Sequence, residues 1–298
     1  MCIIQYFYIH INQMLNDIMI YEYPHAKRVI VIGDIHGDLK RFKKILLDAS
    51  VINNDLEWIA EPSETIVIQV GDQVDSLNRA QTADWEVLSD TSMLYFTESL
   101  NNIAKIKGGH VISLIGNHEL MNVLGNFSYV SPKSNFAERY KHFMPTGILS
   151  DILAKRPIVV KIGELFFCHA GIKKHHLDIL DSLDKDVSYI NEVWRQFMLT
   201  GKLSIEDKPI VDNIIVDQND GILWTRTLDI EDDANYVMHR LGCQYVFIGH
   251  NPVQNIQLLN NRIWLTDTGI SRAFGEKRYQ YIDVEDYSIS VKTIVEEY

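Results

Sequence analysis

Five short apolar runs in this chain end alike, each in a small residue or histidine beside side chains able to bind a cation or move a proton. Val29–Ile32 leads into Gly33-Asp34-Ile35-His36-Gly37, Thr65–Val70 into Gly71-Asp72, and Val111–Ile115 into Gly116-Asn117-His118-Glu119. Glu164–Cys168 leads into His169-Ala170-Gly171, and Tyr245–Ile248 into Gly249-His250. Runs of this length, rich in β-branched and aromatic residues, predict buried strands. Between them lie helical patterns. Leu39, Phe42, Ile45, Leu46 and Ala49 keep a 3–4 spacing across Asp38–Ala49, and Met93, Phe96, Leu100, Ile103 and Ile106 mark a second, longer helix. Strands alternating with helices predict an α/β core, in which ligands bind just beyond the carboxyl ends of the strands. Ile263–Leu265, Tyr279–Val284 and Ser288–Val295 read as further strands, whereas residues 126–156 lack strand patterning and predict helical pieces capping the site.

Composition narrows the function classes. Lys and Arg total 28 against 40 Asp and Glu, a formal charge of −12, so no direct nucleic-acid binding is expected, because that needs a cationic face. Three scattered cysteines, Cys2, Cys168 and Cys243, with no CxxC pair, predict no disulfide framework and a reducing, cytoplasmic setting. The first 23 residues are rich in Ile, Phe, Tyr and Met, but no Lys or Arg precedes Lys27 and polar residues break the apolar run. That excludes a charged leader or a spanning segment, and no membrane is expected. Residues 1–27 read as a soluble N-terminal extension and 28–298 as one catalytic domain. His175 and His176, after Lys173-Lys174, read as a surface helix start.

Taken singly, Gly-Asp after a strand is a turn and a histidine beside apolar residues is a core histidine. Five such clusters in order, all at predicted strand ends, do not fit that reading. Asp34, His36, Asp72, Asn117, His169 and His250 together supply carboxylate, imidazole and carboxamide donors. The set suits two divalent ions, manganese first, with iron or zinc as alternatives. With two carboxylates among six donors the pocket stays net positive, which points to an anionic substrate such as a phosphate.

GDIHG, GDQVD, GNHE, HAG and GH in this order resemble the phosphoprotein phosphatase family of calcineurin-like metallophosphoesterases, over roughly Val31 to Gly269. The resemblance implies a four-layer α-β-β-α sandwich of two mixed sheets with a dinuclear centre at one edge. It implies Asp34 and His36 on one metal, Asp72 bridging both, and Asn117, His169 and His250 on the second. His118 would give a proton to the leaving group, with Asp75 holding its ring, while a metal-bridging hydroxide attacks the phosphorus. Imidazole beside carboxylate suits that acid role, and two ions about 3.5–4 Å apart clamp a phosphate.

Two departures bear on the phosphate grip. Asp75-Ser76-Leu77 stands where the eukaryotic protein phosphatases have Asp-Arg-Gly, so their arginine is missing at Ser76. Arg226, in Trp224-Thr225-Arg226, is the first candidate to replace it, the alternative for this side chain being a surface ion pair with Asp229 or Glu231. Arg79 is the second, the alternative being an exposed helix-start residue. The Ser-Ala-Pro-Asn-Tyr stretch is also absent, and Asp267-Thr-Gly-Ile-Ser271 with Gly249-His-Asn-Pro-Val253 looks more like bacterial-type and large-DNA-virus phosphatases. The expected activity is therefore metal-dependent phosphomonoester hydrolysis on phosphoprotein partners, most of all phosphoserine and phosphothreonine. Two rivals remain: a nucleotide hydrolase resembling diadenosine tetraphosphatase, and an inactive binding scaffold, which the intact set of six donors disfavours.

Overall fold

A computed structural model describes residues 21–76, 84–131, 134–226 and 233–296, with side chains of the helix starting at Asp84 described from residue 91. Each predicted strand is present: β2 Arg28–Ile32, β3 Ile66–Gln69, β4 His110–Ser113, β6 Leu165–Cys168, β7 Tyr245–Ile248, β9 Ile263–Leu265, β10 Arg278–Glu285 and β11 Ser288–Val295. Three more were not foreseen: β1 Glu22–Tyr23, β5 Val159–Ile162 and β8 Gln257–Leu259. Most of the expected extension, residues 1–20, lies outside the described residues; its end carries β1, which pairs with β5. The predicted helices are α1 Leu39–Asp48 and α2 Asp84–Ile106.

The strands form two mixed sheets, ordered β1-β5-β6-β7-β9-β8 and β11-β10-β2-β3-β4. Side chains alternate across each strand, and the burial shows where each face goes. Val29, Val31, Ile66 and Ile68 of the five-stranded sheet meet Val160, Ile162, Phe167 and Phe247 of the other in one apolar layer between the sheets. The alternate residues Ile30, Ile32, Val67 and Val111 pack outward on Phe42 and Ile45 of α1 and Met93 and Leu100 of α2. Val159, Phe166, Val246 and Ile248 pack outward from the six-stranded sheet on a second helical layer. That layer holds Leu153 of α5 (Ser150–Ala154), Leu177 of α6 (Lys174–Ser182), Trp194 of α7 (Tyr189–Thr200) and Val237 of α8 (Ala234–Leu241). The order is thus helices, sheet, sheet, helices, the expected sandwich.

Within the five-stranded sheet β2, β3 and β4 run parallel; within the six-stranded sheet β6, β7 and β9 do. Each parallel set therefore ends along one edge, and the loops that follow carry the polar clusters. Residues 126–156 do contain the expected helices, α4 Phe136–Phe143 and α5, with α3 Asn117–Val123 just before them. They are not a lid: α5 is built into the outer helical layer, and α4 reaches the site from the side through Arg139.

Candidate metal centre

Asp72 organises the site. Its backbone lies in the left-handed region, φ 53°, as do those of His36 (43°), Asp75 (67°) and His250 (60°). Non-glycine residues adopt that region only at a cost, repaid here by their surroundings. Glu119 supplies much of the repayment around Asp72. Its buried carboxylate accepts N–H groups from Asp72 at 2.9 Å, Gln73 at 2.7 Å, Val74 at 3.2 Å and Gly116 at 2.8 Å, tying the loop after β3 to the start of α3. Two glycines permit the close approach. A Cβ at Gly116 would fall on Asp72 Oδ1, and one at Gly249 would fall on Asp34 Oδ1.

The Asp72 carboxylate faces both ways. Oδ2 lies 4.0 Å from His36 Nε2 and 3.8 Å from His118 Nε2, whereas Oδ1 lies 3.4 Å from His169 Nε2 and accepts the His118 backbone N–H at 2.9 Å. Each histidine of the predicted metal set turns its outer nitrogen to a backbone carbonyl. His36 Nδ1 donates to Asp75 O at 2.9 Å and Val74 O at 3.1 Å, His169 Nδ1 to Val70 O at 2.8 Å, and His250 Nε2 to Trp224 O at 3.0 Å. The inner nitrogens are left toward the centre, each able to offer a lone pair when its ring is neutral, the arrangement second-shell acceptors impose on metal-binding imidazoles. Asn117 Oδ1 sits between two of them, 2.9 Å from His169 Nε2 and 3.0 Å from His250 Nδ1.

The donors fit a pair of cations. His36, Asp72 and His118 form one group with ligand atoms in mutual reach, and Asp72, His169 and His250 form another, with Asp72 common to both. Asp34 belongs to neither group. Its Oδ2 accepts the His250 N–H at 3.0 Å, while Oδ1 is buried with no hydrogen-bond partner, an orphan that a cation would satisfy. The electrostatics agree. Burial and the neighbouring Asp267 push the Asp34 carboxyl well above its usual range. Burial would do the same to Asp72, but the imidazoles of His169 and His118 outweigh it and hold that carboxyl well below. Burial disfavours a charge on His169, yet Asp72 prevails and raises it to about 10. Burial and the neighbouring His169 lower His250 to about 3.

His118 differs from the other imidazoles. Its Nδ1 lies 3.1 Å from Asp75 Oδ2, as expected of a ring held by that carboxylate. The rest of the arrangement was not foreseen. Asn122 Nδ2 donates to Asp75 Oδ2 at 2.8 Å, and Arg139 donates to Asp75 Oδ1 at 2.9 Å and, through Nε, to Asn122 Oδ1 at 2.5 Å. The His118 ring also lies against Tyr129, centroids 4.9 Å apart, and against His36 at 4.8 Å. Arg226 is exposed and donates to His250 O at 2.9 Å, which places it at the rim. Asp229 and Glu231 lie outside the described residues, as does Arg79. His176 is a correction. It is fully buried, accepting from Lys173 N at 3.1 Å and donating to Asp220 O at 2.8 Å, because α6 turns that face into the outer helical layer. Glu119 lies within GNHE and Asn122 one helical turn beyond His118, both within reach of the sequence pattern, whereas Arg139 comes from another helix and left no local signal.

Comparison with known proteins agrees with this geometry. The calcineurin-like phosphoesterase model matches residues 27–254. Shewanella-like protein phosphatase 1 of Plasmodium berghei is 28% identical over 296 residues, covering 90% of this chain and 75% of that protein. An uncharacterized protein of Acanthamoeba polyphaga mimivirus is 29% identical over 219 residues, covering 63% of this chain and 85% of that one. Among solved structures, the cold-active protein-tyrosine phosphatase of a psychrophilic Shewanella superposes with a TM-score of 0.73 at 20% identity, over 94% of this chain and 84% of that one.

Proposed function

We propose that this chain, which belongs to the calcineurin-like phosphoesterase family, removes phosphate from phosphoserine and phosphothreonine in proteins with the help of two divalent ions, manganese first among them. The observation that carries this reading is the Asp72 carboxylate shared between two imidazole groups, beside a third imidazole tethered to Asp75. Asp34, His36 and Asp72 would hold one ion; Asp72, Asn117, His169 and His250 would hold the other. When bound, such ions supply positive charge to the phosphate oxygens and acidify water.

The chain's own residues supply the rest. His118 presents Nε2 to the pocket while Asp75 fixes its Nδ1, so the ring is oriented to give a proton to the leaving oxygen. Asn122 and Arg139 hold Asp75 in turn, and Arg139 balances its charge. Arg226, anchored by His250 O, offers the remaining guanidinium N–H groups to phosphate oxygens that the ions do not reach. A reducing, cytoplasmic setting belongs to the same proposal, on the sparse cysteine content of the sequence. Among the described residues no helix is long and apolar enough to cross a membrane.

One observation favours a second substrate. Tyr129 lies against His118, and Phe274 lies 5.5 Å from the His36 ring, so aromatic surface flanks the pocket where a phenyl ring would stack. The Shewanella enzyme of the same fold is described as a tyrosine phosphatase. The test is turnover by the manganese-loaded chain of matched phosphoserine, phosphothreonine and phosphotyrosine peptides against diadenosine tetraphosphate. Faster turnover of the first two peptides supports the proposal. Preference for phosphotyrosine transfers it to the second reading, and preference for the dinucleotide overturns both.

A further inference from the structure

A cavity of about 380 Å³ lies between α2, strand β4, the end of β1 and the helices α5 and α7, and none of the predicted metal ligands lines it. β4 is the last strand of its sheet, so this is the sandwich's lateral edge rather than the edge carrying the predicted ligands. Its charged lining is Lys105, Lys155, Arg156 and Arg195 against Glu98 and Asp151, a cationic excess in a chain of formal charge −12. One of those acids is engaged already, since Glu98 pairs with Lys155 at 2.9 Å.

Arg156 is the unusual member. It is 5% exposed, and its partners are all neutral: Gln73 Oε1, Leu94 O at 3.1 Å and Thr97 Oγ1 at 2.8 Å. Among the described residues no carboxylate pairs with it, and its Nε has no partner at all. Burial lowers its pKa to about 10 although Glu119 and Glu98 attract it from a distance, and a buried guanidinium with no carboxylate in contact is costly. Two other lining residues also leave buried polar atoms unpartnered, Ser113 Oγ and His110 Nδ1. Unsatisfied polar groups are few in a folded chain, and three at one cavity call for an explanation. A peptide strand added along β4 meets competition at both ends, where Val111 N donates to Asn101 Oδ1 at 3.0 Å and Ile115 N, just beyond the strand, to Pro157 O at 2.9 Å.

We propose that this cavity is a second binding site, for a small oxyanion such as phosphate or a phosphorylated metabolite, with Arg156 as its counter-charge and Ser113 and Lys105 as further donors. A cavity of this size lies within the range of small-molecule sites and exceeds the needs of inorganic phosphate alone. Occupancy supplies an anion close to Arg156, where Glu119 and Glu98 act only from a distance.

Arg156 also holds Gln73, the residue after Asp72, so its removal would disturb the metal centre; the test uses Ser113→Ala and Lys105→Gln instead. The manganese-loaded full chain is titrated calorimetrically with inorganic phosphate, sulfate and glycerol 3-phosphate. Two classes of site are expected in the wild type. Ser113→Ala should weaken one class about tenfold, the worth of a hydrogen bond to a charged group, and Lys105→Gln should weaken the same class severalfold. Both variants should leave the other class and the KM for an aryl phosphate unchanged. Without anion, Ser113→Ala should melt no lower than wild type, since its hydroxyl has no partner to lose. Tightest binding of glycerol 3-phosphate at this class identifies a phosphorylated metabolite, and tightest binding of inorganic phosphate the free ion. A single class of site in the wild type, or a second class untouched by both substitutions, overturns the proposal.

Discussion

The two faces of the Asp72 carboxylate are built differently. Around Oδ1 the rings of His169 and His250 are pinned by the backbone carbonyls of Val70 and Trp224, and the Asn117 amide oxygen sits between them. Toward Oδ2, His118 is tethered to a side chain, Asp75, which is itself held by Asn122 and Arg139. A ring donating to a carbonyl keeps one tautomer and offers a fixed lone pair, which suits holding a cation. A ring bonded to a charge-balanced carboxylate can carry a proton in and out, which suits acid catalysis. On the Oδ2 side both kinds of ring occur, His36 pinned to backbone carbonyls and His118 tethered to Asp75, whereas the Oδ1 side has only the first kind.

The substitution that should erase the distinction is Asp72→Asn. A neutral amide bridges two cations poorly, so both faces should lose metal together and turnover should fall by on the order of 10³-fold or more, a few kcal/mol of lost charge stabilisation. Metal content per chain and phosphatase rate check it. Two ions bound and near wild-type turnover would refute the shared role. His118→Asn should separate the faces. Metals should stay, while the rate toward poor leaving groups drops roughly 10²–10⁴-fold and activated aryl phosphates suffer less. Loss of metal would make His118 a ligand, as its grouping with His36 and Asp72 permits.

Arg226 belongs to the Oδ1 face, and its substitution should act on phosphate rather than on protons. Arg226→Ala should melt like wild type, retain its metals, and lose about 10²-fold in kcat/KM with every leaving group alike. Wild-type kcat/KM would move the phosphate grip elsewhere, to Arg79 first. Arg139→Gln belongs to the opposite face and should copy His118→Asn in miniature. We expect a loss of some tens-fold in kcat that grows as the leaving group worsens, with KM unmoved, because a buried ion pair is broken while Asn122 and His118 still hold Asp75. Arg139→Lys should restore part of that rate. Equal loss across leaving groups would reduce Arg139 to a structural brace.

The two faces were not equally legible. The donors around Asp72 each follow an apolar run directly, so a continuous apolar run ending in Gly-Asp, Gly-Asn-His or Gly-His locates them without tertiary knowledge. Arg139 meets Asp75 from a separate helix, 64 residues further on, and nothing local marks it. The missed strands have local causes as well. Val159–Ile162 carries Lys161 mid-run, and β1 and β8 have only two and three residues. His176 misled for the same reason: two lysines before it read as solvent-facing, but helical periodicity turns the third residue of α6 inward. The cavity beside β4 depends on five separate elements and had no sequence signature.

The smallest expected effect distinguishes two rings on the same face. With no cation bound, His169 keeps its proton up to about 10 because the Asp72 carboxylate outweighs its burial, whereas burial leaves His250 neutral above about 3. A metal needs the neutral ring, so binding near pH 8 must expel a proton from His169 and none from His250. Apparent affinity should then rise about tenfold per pH unit between 7 and 9 for each proton displaced. The sign follows from the raised value: below 10 the proton competes, and the competition fades as pH approaches 10. Asp34, also raised, adds to the slope wherever it is still protonated. The comparison is therefore made between variants. His250→Asn should bind more weakly yet keep the wild-type slope of log affinity against pH, while His169→Asn should lose one unit of it. Calorimetry in buffers of different ionisation enthalpy counts the same proton independently. Equal slopes in the two variants would mean that the Asp72 charge does not single out His169, and that the face binds its cation with both rings already neutral.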